Sequence, residues 1–422
     1  MIYHLFEYFK AQGCDFPGIG LMSYISFRAI CCSVAAIATA LIMGKKTIGF
    51  LQKKQIGEEI RDLGLEGQLA KKGTPTMGGI IIIASIVIPI LLFGDLSNIN
   101  NILLIVTTLW LGMIGFADDY TKVFKHNKEG ISGKYKILGQ VTLGLVVGLT
   151  LCFSSQLGFR DKHNNNYDSQ VEIAAAGDIG SVVSLENTKT TIPFVKNNEF
   201  DYKWLSPFKG KLGDYFKWII YILVIIFIIT ACSNGANLTD GMDGLTTGVS
   251  AIIGTTLGIL AYLSGHIVYS DYLNIMYIPN SGEILVFMCA FIGALLGFLW
   301  YNSFPAQVFM GDTGSLALGG IIGVCAVLIR KELLLPILCG IFLVESLSVI
   351  IQRCYFKYTK KKYGAGRRVF KMAPLHHHYQ KENIDSIIKK PYVALPEAKI
   401  VIRFCIVSIL LGVLTLVTLK IR

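Results

Sequence analysis

The chain runs to 422 residues, of which 53% are hydrophobic and 16% charged, with a mean hydropathy of +0.56. An ordinary soluble domain carries about 25% charge. The composition therefore excludes a string of soluble domains, and with them a disordered, fibrous or disulfide-stapled chain. What remains is an all-α integral membrane protein whose net charge of +11 has to be distributed between two aqueous faces.

A bilayer core takes about 17 to 25 apolar residues per helix. Runs of this kind predict ten transmembrane helices, at 21 to 43, 77 to 94, 102 to 117, 137 to 158, 216 to 232, 245 to 265, 284 to 300, 315 to 329, 333 to 352 and 400 to 419. The first run follows an amphipathic lead of twenty residues and has no small-residue cleavage site, so it reads as a retained helix rather than a signal peptide. The ten cysteines lie mostly inside these runs without C-x-x-C spacing and read as small packing residues.

Ten helices in series put the loops after the odd-numbered helices on one side. Those loops hold 24 Lys and Arg. The other set has its basic residues mainly in the polar segment 159 to 215, which is long and balanced by acids, so the positive-inside bias makes the first set cytoplasmic. Both termini are then periplasmic. The whole chain reads as a single polytopic domain, 1 to 422. The 159 to 215 insert is either a small folded unit or a polar excursion, and is expected to be dispensable for chemistry.

Four polar segments follow helices 3, 5, 7 and 9, so all fall on the cytoplasmic face: Asp118 to Lys122, Asn237 to Gly244, Phe309 to Ser315, and His376-His377-His378. The adjacent carboxylates Asp118 and Asp119 repel each other and must be solvated or neutralised. They read as an interfacial stop signal or as part of a cation site. Asn237, Asp240 and Asp243 are spaced by three, which on a helix turns three oxygen donors one way, and no Lys or Arg in their loop pairs them. That pattern suits a hard cation or a hydrogen-bonded ligand, the plain alternative being a polar turn. Asp312 opens a helix whose first amides would attract a phosphate. An acid beside a phosphate makes sense chiefly with Mg²⁺ between them. The histidines, without a nearby Cys, do not suit structural zinc. Beside Arg367, Arg368, Lys371 and Lys381 they suit phosphate or sugar oxygens instead. Lys71 and Lys72 form a second basic patch, and Glu345 is an acid deep in a span, a functional candidate unless a neighbouring helix pairs it. Together these predict Mg²⁺-assisted phosphoryl chemistry between a soluble nucleotide and a membrane-held acceptor. No G-x-x-x-x-G-K-[ST] loop is present, which disfavours an ATP-driven machine.

The stretches TPTMGG (74 to 79), DDYTK (118 to 122), GISGKYK (130 to 136), NLTDGMDGL (237 to 245), VFMGDTGSLALGG (308 to 320) and MAPLHHHYQ (372 to 380) resemble the phospho-N-acetylmuramoyl-pentapeptide transferase family, within the polyprenyl-phosphate N-acetylhexosamine-1-phosphate transferases. The resemblance runs from Lys45 to the last helix, departing mainly at the insert. It implies transfer of phospho-MurNAc-pentapeptide from its UDP carrier to undecaprenyl phosphate, giving lipid I and UMP, in a Mg²⁺-dependent homodimer of the bacterial inner membrane with no nucleic-acid partner. By motif, the resemblance makes Asp118, Asp119 and Asp312 the catalytic acids and candidate metal ligands, with Asp118 the candidate base or contact for the lipid phosphate. It places Lys71, Thr76, Lys122, Lys134, Asn237, Asp240, Asp243, Asn302, Phe309, Gln352, His376, His377 and His378 at the nucleotide and phosphate cleft. Two rivals are a transferase of GlcNAc-1-phosphate and an ion-coupled transporter. The transporter would need inverted repeats and midplane acids, whereas these acids gather on one face.

Overall fold

The computed structural model describes residues 1–14, 18–54, 73–125, 127, 130–154, 188–194, 199–208 and 210–420. In chain order the helices are α1 (Ile2–Ala11), α2 (Ile25–Lys53), α3 (Gly79–Phe93), α4 (Ile99–Phe124), α5 (Gly133–Phe153), α6 (Lys211–Thr239), α7 (Leu245–Ser264), α8 (Ile267–Tyr272), α9 (Gly282–Asn302), α10 (Gly311–Leu328), α11 (Leu335–Leu338), α12 (Gly340–Tyr363), α13 (Leu375–Gln380) and α14 (Glu397–Thr418). Eight of them are long and apolar enough to cross a bilayer, and the number rises to nine if the pair Glu332–Leu338 and Gly340–Tyr363, bent by 74°, forms one span. α3, at 15 residues, is shorter and apolar throughout. Of the ten expected, this measure supports eight among the described residues, or nine with the bent pair.

Burial distinguishes two kinds of helix. α14 leaves Ile402, Ile406, Leu410 and Val413 exposed, as a lipid-facing helix must. α10 is buried from Thr313 to Leu328 and forms the centre of the bundle. It can be central because its neighbours approach through glycines, where packing rather than water-driven burial holds helices together. A Cβ on Gly319 would lie 2.2 Å from the Cys232 carbonyl oxygen, and one on Gly115 would lie 2.2 Å from that of Asp312. Gly144 and Gly148 let α5 meet α6 in the same way, at Ile226 and Ile222.

Hydrogen bonds fix which loops share an end. The N-terminal amine bonds the Leu91 and Leu92 carbonyls, the Asp95 amide donates to Glu283, the Thr191 amide to the Arg330 carbonyl, and Lys420 Nζ to the Tyr272 carbonyl. Both termini and the loops after α3, α7 and α10 therefore lie together. The described part of the insert belongs to this end. It pairs Lys189–Thr191 antiparallel with Glu199–Asp201 and buries Thr190, Thr191 and Tyr202 against Arg330 to Glu332. This portion is folded and anchored. Residues 159 to 187, about half of the insert, lie outside the described residues.

Candidate active site

At the opposite end, the sequence motifs are stitched to one another. The TPTMGG segment lies along the VFMG segment: the Phe309 amide donates to the Pro75 carbonyl (2.8 Å), the Gly78 amide to Phe309 (2.8 Å) and the Gly79 amide to Met310 (2.9 Å). A Cβ on Gly79 would fall 2.1 Å from the Gly314 nitrogen, so only glycine permits this approach. Buried Thr76 is brought here as well, its hydroxyl 3.1 Å from where a Gly311 Cβ would sit.

The acids meet where α4 ends against the start of α10. Ligand oxygens of Asp118, Asp119 and Asp312 all lie within 4.8 Å of one another. Two lysines neutralise them. Lys122 Nζ is 2.7 Å from Asp118 Oδ2 and 3.3 Å from Asp312 Oδ1, and Lys136 Nζ is 2.9 Å from Asp118 Oδ1 and 2.5 Å from Asp312 Oδ2. The Ile131 amide also donates to Asp118 Oδ1 (2.7 Å), which ties the GISGKYK loop to the cluster. Asp119 plays a different part. Its Oδ1 accepts the Asp312 amide (3.1 Å), and its Oδ2 accepts the Thr313 amide (2.9 Å) and hydroxyl (2.6 Å). Asp119 therefore caps α10 from a neighbouring helix, where the helix dipole favours a negative charge. The expectation that these first amides attract a phosphate is corrected, since a carboxylate already holds them.

The Asn237 to Asp243 segment also differs from its sequence reading. α6 stops at Thr239, so the three donors do not share one helical face. Asn237 Nδ2 reaches Asp312 Oδ1 (3.0 Å) and Ser315 Oγ (2.9 Å). Asp243 is buried and accepts the Ala306 amide (3.0 Å), while its own amide donates to Glu397. Asp240 caps the helix half-buried. Asn302 accepts the Thr247 hydroxyl and donates to the Val308 carbonyl, bracing the loop that presents half-buried Phe309.

The three histidines go three ways. His378 accepts the Lys371 amide at Nδ1 (3.0 Å), so its Nε2 carries the proton given to the Lys390 carbonyl (2.8 Å). Burial lowers the pKa of this ring, which suits a neutral strut. His377, half-buried, sits 2.9 Å from Gln380 Oε1. His376 is fully buried, its backbone amide on Glu345 and its ring against Gly241. Gln352 clamps the loop before them by accepting the Val369 and Phe370 amides, both at 3.0 Å. Lys71 lies outside the described residues. Lys134 is exposed, and it is Lys136, two residues on, that enters the acid cluster. Lys136 was missed because the motif alone gives no reason to prefer one lysine over the other. On a helix, two residues apart means roughly opposite faces.

Comparison with known proteins now decides the family. The Glycosyl transferase family 4 model matches residues 101–330, and signature 1 of phospho-N-acetylmuramoyl-pentapeptide-transferase matches residues 71–83. Curated phospho-N-acetylmuramoyl-pentapeptide-transferases are 56% identical in Parabacteroides distasonis, 52% in Flavobacterium psychrophilum and 53% in Porphyromonas gingivalis, each covering 100% of both chains. The chain belongs to the phospho-N-acetylmuramoyl-pentapeptide-transferase family. As in any such phosphoglycosyl transferase, the protein has to hold a charged phosphate linkage. The cluster's donor set fits a divalent ion beside that linkage: three carboxylates, all oxygen, buried or nearly so, with the Lys122 and Lys136 ammonium groups now neutralising Asp118 and Asp312.

Proposed function

We propose that this chain transfers phospho-N-acetylmuramoyl-pentapeptide from UDP-MurNAc-pentapeptide to undecaprenyl phosphate, forming lipid I and releasing UMP. Full-length identity above 50% to transferases of that name supports the reading. The observation that carries it is the convergence of Asp118, Asp119, Asp312, Lys122 and Lys136 from three chain segments at one end of the bundle.

Asp118 and Asp312, with Asp119 behind them, would hold Mg²⁺, which would supply charge neutralisation to the diphosphate and the departing UMP. In the transfer, an oxygen of the acceptor phosphate forms a bond to the phosphorus nearest the sugar while the bond from that phosphorus to the UMP oxygen breaks. Asp118 would receive a proton from, or orient, the acceptor phosphate. Lys122 and Lys136 can turn from the carboxylates to phosphate oxygens. Lys71, Lys134 and the His376 to His378 loop extend the basic surround, and half-buried Phe309 offers a ring on which uracil can stack. Asp119, Thr76, Asn237, Asp240, Asp243, Asn302 and Gln352 set the walls.

Adding α3 as a short crossing brings the spans to ten, with the site cytoplasmic, both termini periplasmic and the chain in the bacterial inner membrane as a homodimer. The substrate test is direct. Purified enzyme with undecaprenyl phosphate should release UMP from UDP-MurNAc-pentapeptide and not from UDP-GlcNAc; the opposite preference would place it with the GlcNAc-1-phosphate transferases.

A further inference from the structure

Hydropathy places Glu345 deep in a span, with no partner named. In the structure, the apolar run 333 to 352 is two helices meeting at 74°, so hydropathy does not give the depth of this acid. Its surroundings do say what it touches. Glu345 is fully buried on α12, while Leu343, Val344 and Leu347 on the same helix are exposed. Its carboxylate accepts the backbone amide of His376 at 3.1 Å (Oε1) and 3.3 Å (Oε2). Oε2 also stands 3.1 Å from His376 Nδ1, at ion-pair distance though not in an aligned hydrogen bond.

Seven residues further along α12, Gln352 accepts the Val369 and Phe370 amides. Seven residues are two helical turns, so both anchors lie on one face and hold the two ends of the same loop. On its far side, the His376 ring meets Gly241 of the NLTDGMDGL motif. A Cβ there would fall 2.2 Å from His376 Nε2. That nitrogen is buried and has no hydrogen-bond partner among the described residues. A buried ring nitrogen left unpaired costs about 1–3 kcal/mol, so this position favours a hydrogen-bonding partner from outside the described residues.

We propose that Glu345 is a positioning residue: it fixes the backbone and ring of His376 so that Nε2 is presented beside Gly241 to an oxygen of the bound sugar nucleotide. The proposal rests on the transferase reading of this site. Glu345 does not itself reach the ligand. Gly241 completes the arrangement by leaving room for the ring.

The experiment is a double-mutant cycle on UMP release by the full-length enzyme in detergent, with thermal unfolding of each variant measured alongside. Glu345→Gln keeps an oxygen for the amide and loses the charge facing Nδ1. It should lower kcat about tenfold with KM within twofold, and adding it to His376→Ala should cost nothing more. Effects that multiply in the double variant would overturn the proposal. Glu345→Asp, which keeps the charge, should recover part of the lost kcat; recovery no better than with Gln would count against it. Gly241→Ala leaves the buried charge intact and crowds the same ring. It should also lower kcat and be silent on a His376→Ala background, which covers the case where Glu345→Gln fails to fold. Full turnover by Gly241→Ala would overturn the proposal as well. If wild type uses UDP-GlcNAc in place of UDP-MurNAc-pentapeptide, the substrate reading fails, and the cycle is read with that sugar nucleotide instead.

Discussion

Lys134 and Lys136 sit two positions apart and differ in what they touch, one exposed and the other bridging Asp118 and Asp312. This contrast gives a prediction that composition could not. Lys136→Ala should reduce UMP release by about 10²-fold, in the range found when a group stabilising developing charge is removed, whereas Lys134→Ala should cost clearly less. Equal losses would mean that charge near the loop, rather than the bridging geometry, matters. Asp119 invites a similar test. Because it caps α10 with three hydrogen bonds, Asp119→Asn should lower the thermal midpoint as well as turnover, consistent with a cap loss of about 1 kcal/mol. Asp312 makes no such cap, so Asp312→Asn should abolish turnover with less effect on melting.

At the scale of elements, the site exists because α4 and α10 approach through glycine. Gly115→Ala would set a Cβ 2.2 Å from the Asp312 carbonyl oxygen and should destabilise by about 1–3 kcal/mol, as overpacking does. Turnover should fall with it, since the same shift parts Asp118 from Asp312. Unchanged melting and activity would show that the helices can slide without cost. The helices themselves were legible in the sequence, because a bilayer demands long apolar runs and tolerates little else. Their ends were not. The run at 102 to 117 became Ile99–Phe124, because Lys122 pairs with Asp118 and Asp119 is taken up by the first amides of α10, which lets the helix continue past the last apolar residue. The helical reading of Asn237 to Asp243 failed for the opposite reason. Thr239 ends α6, and Gly241 and Gly244 (φ +78°) favour a turn there.

Across the whole molecule, the alternation of loops between two ends was also legible, from the count of basic residues and the spacing of apolar runs. The far end carries a feature that was not, the packing of the insert's hairpin over Lys331. This lysine is fully buried with Nζ on Thr191 Oγ1 (2.7 Å), and burial pushes its pKa down to about 7, with Glu332 and Glu199 opposing the shift in part. The unfolded chain then binds more protons than the folded one from about pH 7 up to the ordinary lysine value of 10.5. Stability should therefore rise with pH across that window. Lys331→Met should flatten the rise in the thermal midpoint; an unaltered slope would assign it to other groups.

The proposal turns on a divalent ion that Asp118 and Asp312, with Asp119 behind them, would hold at a sugar nucleotide's phosphates. The direct measurement is UMP released from UDP-MurNAc-pentapeptide with and without undecaprenyl phosphate, in Mg²⁺ and in EDTA, for wild type and Asp312→Asn. Release should require the lipid acceptor, Mg²⁺ and Asp312 together. Full turnover in EDTA, or by Asp312→Asn in Mg²⁺, would contradict it.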